Sequence, residues 1–280
     1  MAVRCVNCAV LTQPTMNKKI LALYLGALTA LTVTASAETV APAPAPAAPT
    51  VSVTVTPAIV SQYMFRGQRL GGPAFQPTVE VDYGNLGVGV WANFPMRDKV
   101  VGVSDPEIDP YFFYTVTIND SLNIVPGATL YTYPHADTSN GFYRTTFEPN
   151  VAVNYTVSGF KLTPKLYYDV VLKGPTGEFS AAYAFPLKDL GTELDFLGTY
   201  GEYVQKDVAK DVKPEVKAWG NYWLVGVSAP FQITKASKIV LGFAYTKGGD
   251  AAFKQDGSAK SPNSLAVGRG VGSIAYSYTF

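Results

Sequence analysis

The segment Phe160-Lys161-Leu162-Thr163-Pro164-Lys165-Leu166-Tyr167-Tyr168-Asp169-Val170 alternates along its length. Leu162, Leu166, Tyr168 and Val170 share one parity, and Lys161, Lys165 and Asp169 share the other. Successive side chains of an extended chain point to opposite faces, so this spacing predicts a β-strand with one apolar and one charged face. Ser158-Gly159, just before it, is turn chemistry.

The same pattern spreads in both directions from that strand. Val79, Val81 and Tyr83, then Phe112, Tyr114, Val116 and Ile118, then Leu194, Phe196 and Tyr200, and finally Ile239, Leu241, Phe243 and Tyr245 each hold one parity. Glu80, Asp82, Glu193 and Asp195 fall on the opposite face. No helical period of useful length occurs after Val51, and the chain reads as all-β. Twelve strands are expected, at 51–66, 76–83, 86–94, 108–118, 121–133, 143–157, 159–172, 178–186, 192–203, 219–233, 237–247 and 264–280.

The connections between these strands alternate in length. Short turns are expected at Gly84-Asn85, Asn119-Asp120, Ser158-Gly159, Lys188 to Gly191 and Thr234 to Ala236. Longer polar loops are expected at 67–75, 95–107, 134–142, 173–177, 204–218 and 248–263. An even-stranded antiparallel meander with strictly alternating loop lengths matches a transmembrane β-barrel, whose short turns face the periplasm and whose longer loops face outward. A soluble sandwich would show the same strand alternation with its apolar face turned inward, so other features must decide.

Export is the first of these. From Met16, Lys18 and Lys19 form a positive region, Ile20 to Leu31 an apolar core and Ala35-Ser36-Ala37 a small-residue cleavage site. Together they read as a signal peptide over 1–37, with residues 1–15 an over-long start. A Pro/Ala-rich linker follows at 38–50, and the barrel is expected over 51–280. No later segment approaches the roughly 18 apolar residues of a spanning helix. The final strand carries Ile274, Tyr276, Tyr278 and Phe280, an alternating run with an aromatic end that looks like the assembly signal of bacterial outer-membrane barrels. Tyr63, Trp91, Tyr133, Trp219 and Trp223 suit interfacial aromatic girdles or ordinary packing.

Composition removes other classes. The 280 residues carry 22 Lys plus Arg against 21 Asp plus Glu, so the basic footprint of a nucleic-acid binder is missing. Cys5 and Cys8 form a CxxC pair, but both precede the apolar core of the signal. With one His and no Cys left after cleavage, neither a metal site nor a cofactor is expected.

The segment Ser61-Gln62-Tyr63-Met64-Phe65-Arg66-Gly67, then Gly72-Pro73-Ala74 and Gln76-Pro77, then Val90-Trp91-Ala92, resembles the amino-terminal signature of the TorF-like family of bacterial outer-membrane porins. That resemblance covers about 45 residues. It implies a passive channel for small polar solutes and names neither a solute nor a catalytic residue. The expected setting is a Gram-negative outer membrane with both termini periplasmic. The expected partners are its lipid and lipopolysaccharide, the barrel-assembly machinery and small solutes.

Parity nominates Arg66, Glu80, Asp82, Arg144, Lys161, Lys165, Asp169, Glu193, Asp195 and Arg269 as pore-lining residues, with Tyr276, Tyr278 and Phe280 as the assembly signal. Arg66, Arg144 and Arg269 at the outer mouth suggest a mild anion preference that salt would screen. Three alternatives compete with a channel. His135 and Ser139 suggest an outer-membrane lipid hydrolase, although their spacing of four and the Ser139-Asn140-Gly141 turn disfavour a shared strand face. A translocator would need a passenger and a pore-filling helix, which 38–50 does not supply. A barrel plugged by its own residues would be a structural or surface-interaction protein.

Overall fold

The computed structural model describes residues 50–99, 105–136, 144–171, 173–206, 217–249 and 267–280. In chain order its strand segments are β1 (Val51–Thr56), β2 (Ala58–Val60), β3 (Tyr63–Phe65), β4 (Gln68–Gly71), β5 (Ala74–Phe75) and β6 (Thr78–Tyr83). β7 (Leu86–Pro95), β8 (Glu107–Tyr114), β9 (Val116–Asn119), β10 (Leu122–Thr132), β11 (Thr145–Val157) and β12 (Phe160–Asp169) follow. The last are β13 (Gly174–Leu187), β14 (Thr192–Lys206), β15 (Lys217–Thr234), β16 (Ser237–Gly248) and β17 (Arg269–Thr279). β1 runs on into β2 past Pro57, β5 into β6 past Gln76-Pro77, and β8 into β9 past Thr115, so the segments other than β3 and β4 make a twelve-stranded antiparallel barrel. A proline cannot donate to a ladder, and two of these three breaks hold one.

Closure is made by β17, which pairs with β1 through Thr54–Thr279 and Val55–Tyr278 and with β2 through Val60–Ser273. Closing the sheet removes the edges that would otherwise expose unpaired backbone. Val51 pairs with Tyr83 beside the first short turn, and the Thr279 N–H donates to the Ala236 carbonyl in the last one. Both ends of the barrel therefore lie on the short-turn rim.

The distribution of polarity is inverted relative to a soluble protein. Val79, Val81, Tyr83, Phe112, Tyr114, Val116, Ile118, Leu166, Tyr168, Val170, Phe196, Tyr200, Leu241, Phe243 and Tyr245 are exposed, whereas Glu80, Glu107 and Glu148 are 1–2% exposed. An apolar outer surface running right around a closed barrel is stable against hydrocarbon and not against water, so this is a transmembrane β-barrel. A sandwich would bury the apolar set.

Two expectations change. The first strand does not continue to residue 66; it ends at Val60, and the chain turns inward to form β3 and β4 as a separate two-stranded sheet. Of the aromatic residues proposed for girdles, Tyr63, Trp91 and Tyr133 are buried inside the barrel, because inward parity takes Trp91 and Tyr133 into the core around that hairpin. Trp223 does face outward, its ring tilted against that of Tyr245 at 5.4 Å. The Trp219 side chain lies outside the described residues.

Candidate functional site

The site is the lumen and the hairpin lodged in it. Arg66 and Gly67 form a two-residue turn between β3 and β4, with φ of 41° and 74°. Positive φ at both central residues is the type I′ condition, whose twist suits a tight hairpin. Each end of the hairpin is tied to the wall by backbone bonds. Ser61 N–H donates to Gly272 O and Gly272 N–H to the Ser61 hydroxyl, each at 2.9 Å. Gly72 N–H donates to Asp98 O at 3.1 Å.

From there the hairpin reaches the wall on many sides. The Arg66 guanidinium makes a two-pronged ion pair with Glu148 of β11, at 3.1 and 3.0 Å. The rings of Phe65 and Tyr167 stand 4.7 and 4.9 Å from its central carbon. The Tyr63 hydroxyl donates to Glu107 of β8, and the Gln68 amide to the Tyr203 hydroxyl of β14 at 3.0 Å. At the tip, Gly248 N–H of β16 donates to Gly67 O at 2.9 Å. Met64, Phe65 and Leu70 are buried against Val60, Ala74, Trp91, Tyr131, Tyr133, Ala244 and Val271.

Inward tyrosines answer the inward carboxylates. Tyr111 donates to Glu80 at 2.7 Å, Tyr131 to Glu148 at 3.1 Å, Tyr133 to Glu107 at 2.9 Å, and both Tyr167 and Tyr222 to Glu178. A carboxylate held this way keeps its lone pairs occupied in a site that bulk water does not reach. The two halves of the lumen differ. Around the hairpin most inward residues are buried; toward the short turns Asp82, Asn123, Asn154, Lys161, Ala182, Glu193, Asp195, Gly226 and Gly242 are half-buried, while Thr54, Thr56, Ser228, Ser237 and Ser277 are buried.

The residues nominated from sequence divide three ways. Glu80, Asp82, Lys161, Lys165, Asp169, Glu193 and Asp195 have the inward parity; of these Glu80 and Asp169 are buried and the others half-buried. Asp169 accepts from the Thr146 hydroxyl at 2.6 Å, and Lys165 stands 4.6 Å over the Tyr167 ring. Arg66 is inside as well, but on the hairpin and ion-paired instead of on a strand at the outer mouth. Arg144 and Arg269 are exposed on the long-loop rim, where Arg269 donates to Gly268 O. Sequence reasoning missed Glu107, Asp109, Glu148 and Glu178. Their parity opposite Phe112, Phe147 and Phe179 carried the signal.

His135 is exposed in the turn after Tyr133, and Ser139 lies outside the described residues. Among the described residues no group of three or more His, Cys, Asp or Glu is placed to hold a metal ion.

The chain is similar to a bacterial family of unknown function. The model of that family, described as "Bacterial protein of unknown function (Gcw_chp)", matches residues 43–170. The description does not supply the TorF-like name read from residues 61 to 92. No curated protein matches the chain. Among solved structures, the NanC porin aligns with 81% of this chain and 98% of its own, at 12% identity and a TM-score of 0.46. The KdgM porin in complex with disordered oligogalacturonate aligns over 82% and 99%, at 13% identity and 0.46. The COG4313 outer membrane channel from Pseudomonas putida F1 aligns over 86% and 100%, at 10% identity and 0.39.

Proposed function

We propose that this protein is a porin-like channel of a bacterial outer membrane, passing small polar solutes by diffusion, with the β3–β4 hairpin as its constriction. The observation that carries this reading is the lumen itself: a polar inner wall, half-exposed along part of the short-turn half, inside a barrel whose outer face is apolar. No covalent chemistry is involved. Passage is governed by the width left beside the hairpin and by the charges around it. In this reading residues 1–37 are the export signal, the assembly machinery reads Tyr276, Tyr278 and Phe280, and Arg97 meets lipopolysaccharide phosphate.

The charges support a weak cation preference in place of the anion preference suggested by the arginines. Glu148 neutralises Arg66, and Glu80, Asp82, Glu178, Glu193 and Asp195 outnumber Lys161, Lys165 and Lys238 on the inner wall. Fixed charge of one sign in a narrow lumen concentrates the opposite ion. In a planar bilayer under a salt gradient, wild type should show a reversal potential of cation sign, reduced in Glu193→Gln with Asp195→Asn. A reversal potential of anion sign would overturn the preference, and a folded barrel with no current would count against the channel.

A second reading, a barrel plugged as a structural protein, is favoured by the hairpin's contacts with β8, β11, β14 and β16. It predicts silence in wild type and current once residues 62–72 are replaced by a short Gly-Ser link. Silence in both proteins would reject the channel outright.

A further inference from the structure

Three adjacent strands repeat one pattern on the lumen wall. Glu80 of β6 stands opposite Gly89 of β7, and Gly89 opposite Tyr111 of β8. Two residues nearer the short turn, Asp82 stands opposite Gly87 and Gly87 opposite Phe113. Both rows read carboxylate, glycine, aromatic ring, and all six positions share the inward parity.

Both rings lie flat along the wall. A Cβ on Gly87 would stand nearest Phe113 Cζ, with the two Cε atoms of that ring at 2.5 and 2.7 Å; a Cβ on Gly89 would stand 2.5 Å from both Cζ and the hydroxyl oxygen of Tyr111. Such even spacing puts each Cβ over a ring face rather than beyond a ring edge, so each ring leans from β8 across β7 toward β6. Glycine alone leaves that space, and both glycines are buried beneath their rings. Tyr111 completes the crossing by donating its hydroxyl to Glu80 at 2.7 Å. Phe113 has no hydroxyl to give Asp82. One face of its ring covers Gly87 and the other is left to the lumen, and both Phe113 and Asp82 are half-buried.

Covering a bare glycine is one use of such a ring. Tyr203 over Gly220 and Tyr222 over Gly201 serve that use on β14 and β15, where both rings are buried and both hydroxyls are bonded, to Gln68 and to Glu178. Phe113 differs in keeping an apolar face toward the lumen with a carboxylate in the same row. The face of an aromatic ring attracts cations, and a carboxylate adds a full charge to that attraction. We propose that Phe113 and Asp82 bind the alkylammonium group of a small organic cation on the lumen wall toward the short turns. The ring meets the apolar carbons beside the nitrogen, and Asp82 accepts its N–H. A hydrated inorganic ion gains little from the ring, and a neutral sugar gains nothing from the charge. The site deepens the channel reading, on which it rests for access, by naming the class of cation that the lumen favours.

Saturation-transfer NMR with ethylammonium as the probe reads the site in the mature barrel, folded in deuterated detergent, without any current. Wild type should give saturable transfer. Half-saturation should move up about fivefold in Phe113→Leu, which keeps apolar bulk and removes the ring face, and by a similar factor in Asp82→Asn. Gly87→Ala, whose Cβ would displace the ring while leaving Phe113 and Asp82 present, should weaken binding as well. Asp120→Asn, in an exposed turn, should bind as wild type does. Melting of each variant in the same detergent establishes that it is folded. Transfer that is absent, or unchanged in either Phe113→Leu or Asp82→Asn, would overturn the site, as would displacement of the probe by an equal concentration of glucose. Ion current on the same preparation separates the two readings: binding in a silent barrel would keep the site and reject the channel, and current without binding would overturn the site alone.

Discussion

Gly67 is the residue on which the docked hairpin turns. Its φ is +74°, and a Cβ there would lie 2.2 Å from the backbone nitrogen of Gly248, an atom fixed in a strand. Neither strain nor clash can be relieved by a side-chain rotation, so Gly67→Ala should lift the tip off β16, raise single-channel conductance and lower the melting temperature. Unchanged conductance and melting would mean that the tip contact contributes nothing. Arg66, beside it, is governed by its ion pair. Arg66→Gln would leave Glu148 buried beside a single tyrosine donor and should cost roughly 3 kcal/mol in denaturant unfolding, by analogy with other broken buried pairs. Adding Glu148→Gln should recover most of that loss; a double variant no more stable than the single would show that the pair is not what holds the tip. Parity along β12 sets Lys161, Lys165 and Asp169 opposite Leu166, Tyr168 and Val170, and the structure leaves those three apolar residues exposed and buries Asp169. The Arg66–Glu148 pair was not legible, since its members are 82 positions apart and no local pattern links them.

At the scale of elements, the barrel strands and the hairpin obey different rules, which explains which of them could be read. A barrel strand meets lipid on one face and lumen on the other, so its sequence alternates. The hairpin is surrounded on all sides, and Tyr63-Met64-Phe65 is accordingly apolar at three successive positions and wholly buried. That break in alternation, followed by Arg66-Gly67, was the available sign of an inserted turn, and extending the first strand to residue 66 passed over it. Burial also decides how far the hairpin moves. Met64, Phe65 and Leu70 at about 1.5–3 kcal/mol each hold it with roughly 5–9 kcal/mol, far beyond what a weakly bound solute supplies, so it acts as a fixed constriction whose removal, not thermal opening, should widen the path. The last strand permits a cleaner separation of roles. Phe280 is 75% exposed and packs edge-on to Tyr278 at 4.7 Å, so it contributes little to the finished barrel. Phe280→Asp should lower the yield inserted in cells while leaving the melting of whatever folds nearly unchanged. Normal yield would argue against an assembly role.

At the scale of the whole molecule, the two rims are chemically unequal, and that inequality sets an orientation. Strands β13, β14 and β15 run to 14, 15 and 18 residues, whereas β1 with β2 is far shorter, so the wall is lopsided. The hairpin springs from the low side at Val60, bonds at its tip to Gly248 of nearby β16, and reaches across the lumen through Arg66 to Glu148 of β11. Both barrel ends lie on the short-turn rim. If residues 1–37 are an export signal, the chain would reach the outer membrane from the periplasm. Transmembrane barrels carry their short turns on that side and their longer loops outside, so we propose that the short-turn rim is periplasmic. The chain allows a direct check, because its two cysteines, Cys5 and Cys8, lie in the segment expected to be cleaved. His135→Cys, in an exposed turn on the long-loop side, should react with a membrane-impermeant maleimide on intact cells. Lys235→Cys, in the exposed last short turn, should react only after the outer membrane is broken. The reverse pattern would invert the barrel, carrying the half-open part of the lumen to the outside and the hairpin to the periplasmic end.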